Sequence, residues 1–121
     1  MVKYLLKKSY HLENLKEIEF KDLWGDHGVF TTMWIFGNPP KILFFKEHIN
    51  NLIKSTKAFS ISKSSLRADI LKLIKNNINL QVRYNHLLRI AVNKNIISIS
   101  LRKRIKPKLN FDLLILLKSS H

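Results

Sequence analysis

The spacing of apolar residues changes twice along this chain, from strand-like to helical and back to strand-like. Residues 2–6 read as a first strand, followed by Lys7 and Lys8. Residues 10–20 hold Leu12, Leu15, Ile18 and Phe20 among polar neighbours and suit a short strand or an irregular segment. Residues 22–28, with two glycines and two aspartates, are a loop. Residues 28–36 form an apolar run rich in β-formers, and Gly37-Asn38-Pro39-Pro40 is a turn. Glycine allows positive φ there, while each proline fixes φ and lacks an N–H. Residues 41–45 are a second apolar run, so the two should pair as a hairpin. Phe45, Ile49, Leu52 and Ile53 then recur at 4-, 7- and 8-residue offsets, one face of a helix ending near Phe59.

Residues 60–65 are a polar connector in which Ser64 or Ser65 is a candidate N-cap, with Asp69 placed to complement the helix dipole. Leu66, Ile70, Leu73 and Ile74 define a second helix, and Asn76-Asn77 mark its end. From Val82 onward the period is two. Leu88, Ile90 and Val92 alternate with Leu87, Arg89 and Ala91, and Asn93-Lys94-Asn95 is a turn. Ile97, Ile99 and Leu101 alternate with Ser98, Ser100 and Arg102, which predicts a half-buried strand with one wet face. Residues 102–108 are a basic connector containing Pro107, and residues 109–117 are apolar enough for a last, central strand. Strands grouped apart from helices predict an α+β fold, a single domain over residues 1–121 with two helices packed on one face of a mainly antiparallel sheet.

Composition narrows the classes. The chain has 121 residues and no cysteine, which removes disulfide and thiolate chemistry and suits a reducing compartment. No signal peptide and no run of about eighteen apolar residues is present, so a cytoplasmic protein without a membrane partner is expected. The formal net charge is +14, of which residues 61–121, with thirteen Lys or Arg against two acids, carry +11. Such a bias attracts polyanions, and Arg83, Arg89, Arg102, Lys103, Arg104, Lys106 and Lys108 would serve a small basic nucleic-acid-binding or interaction module. Aromatic platforms should then share the sheet, yet the last three strands offer only Phe111. The bland explanations are the coding bias of an AT-rich genome and a partner segment that supplies acids.

Residues 24–59 also carry a resemblance. Asp26-His27-Gly28-Val29-Phe30-Thr31-Thr32, then a hairpin, then Glu47-His48-Ile49-Asn50-Asn51-Leu52 are similar in order and spacing to the N-terminal part of the class IV (fold-type IV) pyridoxal-phosphate enzymes. These are the branched-chain and D-amino acid aminotransferases and aminodeoxychorismate lyase, and the paired threonines lean toward the lyase branch. The resemblance implies a small N-terminal domain of a two-domain enzyme, pyridoxal phosphate as cofactor and an amino acid or amino-deoxy compound as substrate. It also implies that the Schiff-base lysine lies beyond His121, in a C-terminal domain that is the missing partner, so this chain alone should be inactive. A homodimer is a further partner. No residue here is nominated as catalytic and none as a metal ligand.

By resemblance, Asn51 stands where the family has its phosphate-binding arginine, and an amide donates hydrogen bonds without charge. Phe30 and Thr32 stand at substrate-lining positions; for Phe30 the plain alternative is hairpin core, and for Asn51 a solvated helix residue. Arg89 and Lys94 match the basic positions at the end of a family strand. A cation on so apolar a strand needs a partner, either substrate carboxylate or an acid such as Asp112. Trp34 reads as packing and His27 as a solvated loop residue. A domain taken from such an enzyme should also leave an apolar face uncovered, with the first helix and residues 109–117 as candidates.

Overall fold

The computed structural model describes residues 3–23 and 28–104. Six strands and two helices follow one another: β1 (Tyr4–His11), β2 (Glu17–Ile18), β3 (Gly28–Gly37), β4 (Lys41–Ile42), α1 (Phe45–Ala58), α2 (Leu66–Asn77), β5 (Tyr84–Asn93) and β6 (Ile96–Lys103). The strands form one antiparallel sheet in the order β2-β1-β6-β5-β3-β4. The helices cover one face of it, as the element order implies.

The register follows from the period-two pattern. Val29, Met33 and Ile35 of β3 pair with Val92, Leu88 and His86 of β5, and Leu88, Ile90 and Val92 pair with Leu101, Ile99 and Ile97 of β6. All of these except His86 meet Ile49 and Leu52 of α1 and Leu66, Ile70 and Leu73 of α2 in one core. Ile35, Ile49, Ile70, Leu88, Ile90 and Ile99 are completely enclosed. Burying each such side chain is worth about 1.5–3 kcal/mol, so the shared core holds the two layers together. Polar links reinforce it: Thr31 Oγ1 lies 3.1 Å from His48 Nδ1, and the Asn77 amide donates to the Tyr10 hydroxyl at 3.0 Å.

Gly28 opens β3 because the neighbouring strand passes too close for a side chain. A Cβ there would come within 2.5 Å of the Val92 carbonyl oxygen. The end of α1 has an equally specific cause. Ser60 takes φ 58°, its N–H bonds the Lys57 carbonyl at 3.2 Å, and the Ile61 N–H bonds the Thr56 carbonyl at 2.9 Å. That is a Schellman cap with serine at the left-handed position, closed by the burial of Ile61.

Several expectations change. β1 extends through Lys7 and Lys8 to His11, taking in the start of residues 10–20, and of the short strand or irregular segment expected there β2 is the strand, two residues long. The second arm of the hairpin stops at Ile42, because Phe44 adopts φ 51° and ψ 39° and turns the chain directly into α1. The apolar face of α1 is covered rather than open, since Ile49 and Leu52 lie in the core. The serine face of β6 is not wet: Ser98 and Ser100 are buried. The strand expected over residues 109–117, with Asp112, lies outside the described residues, as do Asp26 and His27.

Candidate functional site

Strand alternation sends every second side chain to the face away from the helices. On β3 these are Phe30, Thr32, Trp34 and Phe36, and their register partners on β5 are Ala91, Arg89, Leu87 and Asn85. Farther across, β6 contributes Ser98, Ser100 and Arg102, and β1 contributes Ser9 and Lys7. The strand patterns bring residues of four strands, far apart along the chain, onto one face.

The face divides in two. Over β1 and β6 the segment at Lys21 lies directly on the sheet, held by both serines. Ser98 Oγ is 2.8 Å from the Lys21 carbonyl oxygen, and the Lys21 N–H donates to Ser9 Oγ at 2.8 Å. Leu23 is buried as the segment continues. This cover is what removes Ser98 of β6 from water.

The half built by β3 and β5 carries aromatic rings and cations. Phe30 keeps 54% of its surface exposed, so it is not hairpin core. The Arg89 guanidinium carbon stands 4.8 Å from the Phe30 ring centroid. Arg89 also pairs with Asp22 at 3.4 Å; the arginine side chain is 12% exposed and the carboxylate 44%. Asp22 is thus one acid that pairs with Arg89; Asp112, suggested from the sequence, lies outside the described residues. Thr32 is the direct register partner of Arg89. Phe30, Thr32 and Arg89, assigned to substrate by resemblance alone, therefore converge on one patch.

A second cluster adjoins it toward the end of β3. Trp34 and Phe36 stack with centroids 4.2 Å apart, and Arg104 lies 4.4 Å from the Trp34 ring centroid. The Trp34 indole N–H donates to Asn85 Oδ1 at 2.9 Å, fixing the ring. Arg83, His86 and Lys103 line the same open cleft. Burial holds His86 below its ordinary pKa, and the neighbouring Lys103 charge lowers it further. Sequence reading treated Trp34 as packing and counted aromatics only on the last three strands. The missed signal was the alternation Phe30, Thr32, Trp34, Phe36 inside a run that looks uniformly apolar.

The other two nominated residues lie elsewhere. Lys94 is at the tip of the β5–β6 hairpin, in a hollow with His11, Glu13, Asn14 and Asn95. Asn51 is exposed on α1, in the layer on the opposite side of the sheet from Phe30 and Arg89. An uncharged amide so placed builds no phosphate cradle with that patch. Asn51 and the Phe30–Arg89 patch therefore share no surface. Among the described residues no group of three or more His, Asp or Glu could hold a metal ion, and no helix is long and apolar enough to cross a membrane.

No protein-family model, curated protein or solved structure matches the chain.

Proposed function

We propose that this chain is the substrate-facing N-terminal domain of a class IV pyridoxal-phosphate enzyme, an aminotransferase or aminodeoxychorismate lyase, whose cofactor chemistry resides in a separate domain. The observation that carries this reading is the convergence of Phe30, Thr32 and Arg89 on the face of the sheet that the helices leave uncovered. In this reading that face is one wall of the pocket. Arg89 offers a planar, permanently charged group for a substrate carboxylate. Phe30 offers an apolar surface that orients the rest of the molecule, and the Thr32 hydroxyl a neutral hydrogen-bonding group. Asp22 balances the arginine charge until a carboxylate replaces it. Asn51 supplies no charge for a phosphate, so the cofactor's anion must be held mainly by the other domain.

The test is an absorbance titration with pyridoxal phosphate, first on this chain and then on the chain joined to the C-terminal domain of a class IV enzyme. The reading expects no visible band of lysine-bound cofactor with the chain alone and such a band with the joined protein. It further expects an amino acid substrate to perturb that band, and Arg89→Gln to weaken the perturbation. A folded, joined protein that shows no band, or one whose substrate response ignores Arg89, overturns it.

A further inference from the structure

Arg104, Trp34 and Phe36 form a continuous stack at the end of the sheet, separate from the three residues that carry the substrate reading. The Trp34 ring is held in place by Asn85, so the stack is a fixed platform rather than a set of loose rings. Arg83 and Lys103 are exposed beside it, and no Asp or Glu is among the described residues that line this cleft. Among the described residues no acid balances the cations at the rings, and these cations belong to residues 61–121, which hold +11 of the net charge.

We propose that this end of the sheet binds single-stranded nucleic acid, with bases stacking on the Trp34–Phe36 platform and phosphates held by Arg83, Lys103 and Arg104. Every base has a π-face, so an aromatic platform accepts any sequence, and a guanidinium can stack and bind phosphate together. Exposed cations meet phosphates without first being dehydrated. A duplex hides its base faces inside its own stack and meets only the cations, so it is the poorer ligand. A small anion occupies one cation and leaves the rings unused. The rings that the sequence seemed to lack are supplied by β3, which reaches this face only through its pairing with β5.

The experiment is a fluorescence titration of the intact chain with a dodecamer of deoxythymidylate, with a duplex of equal length, heparin and thymidine monophosphate as comparators. The single strand should quench tryptophan emission saturably and bind about tenfold more tightly than the duplex, as stacking adds to charge. Three phosphate contacts predict a slope of log K against log salt of about −2. Arg104→Ala should weaken binding about tenfold and reduce that slope by about 0.7. Trp34→Leu, which leaves the charge unchanged, should lose the quenching and the preference for single strands. Circular dichroism shows whether that variant folds, and Phe36→Leu replaces it if it does not. Equal binding of duplex, heparin and single strand, or Trp34→Leu and Phe36→Leu variants that bind as the parent does, would mean charge attraction only and overturns the proposal. So does thymidine monophosphate binding as tightly as the dodecamer.

Discussion

Ser9 and Ser98, 89 residues apart in sequence, place their hydroxyl oxygens 2.6 Å from each other beneath the Lys21 backbone. One direction of donation satisfies every group. The Lys21 N–H donates to Ser9, the Ser9 hydroxyl to Ser98, and the Ser98 hydroxyl to the Lys21 carbonyl. This closed ring clamps the covering segment over β1 and β6, and it leaves the ring-bearing half of the face to β3 and β5.

Ser9→Ala should therefore leave the Lys21 N–H without its acceptor and cost about 1–3 kcal/mol in denaturant unfolding. Removing both hydroxyls should cost less than the sum of the two single changes, because each breaks the same ring. Strict additivity would show that the two serines act independently.

Ser60→Gly should stabilise the protein. Ser60 sits at φ 58° in the cap of α1, a conformation that costs an L-residue about 1–2 kcal/mol and glycine little. Glycine loses more backbone entropy on folding, so a net gain of about 0.5–1 kcal/mol is expected. An unchanged or lower thermal midpoint would mean that the strain is relieved elsewhere.

Arg89→Gln removes a cation held between a ring and a carboxylate. The ring contact is worth about 0.5–1 kcal/mol and the half-exposed ion pair about 0–1 kcal/mol. Asp22→Asn removes only the second and should cost less than Arg89→Gln. The reverse order in urea unfolding would show that the ion pair, not the ring, anchors the arginine.

His86 links the cleft to pH. Its pKa is depressed in the folded chain, first by burial and then by Lys103. The folded state thus binds fewer protons there than the unfolded state, and stability rises with pH across the histidine range. Its contribution is complete above the unfolded value of about 6.5 and is lost as pH falls below it. His86→Gln should flatten the fall in stability below about pH 6.5. A steeper fall on acidification in the variant would reverse the assignment.

Much of this fold is legible in the spacing of apolar residues. Phe45, Ile49 and Leu52, and then Leu66, Ile70 and Leu73, declare two helices because a 3.6-residue period gathers them on one side. Leu88, Ile90 and Val92 declare a strand because a two-residue period sends them to one face. Asn76 and Asn77 mark the end of α2 within a residue. Where apolar residues are continuous the signal fails. Residues 41–45 look like a strand until Phe44 turns left-handed, and 28–36 conceals which rings share a face.

The sequence by itself determined the two-layer α+β plan, the cysteine-free chemistry and the concentration of charge in the second half, because these depend on local period and composition. Only the tertiary structure decided what stands beside what. That Asp22 meets Arg89, that Lys21 seals Ser9 and Ser98, and that Arg104 lies over Trp34 all depend on strand order and register. Register is set by the joint burial of the core faces of all the strands. A contact on the far side of the sheet is therefore fixed by residues that take no part in it.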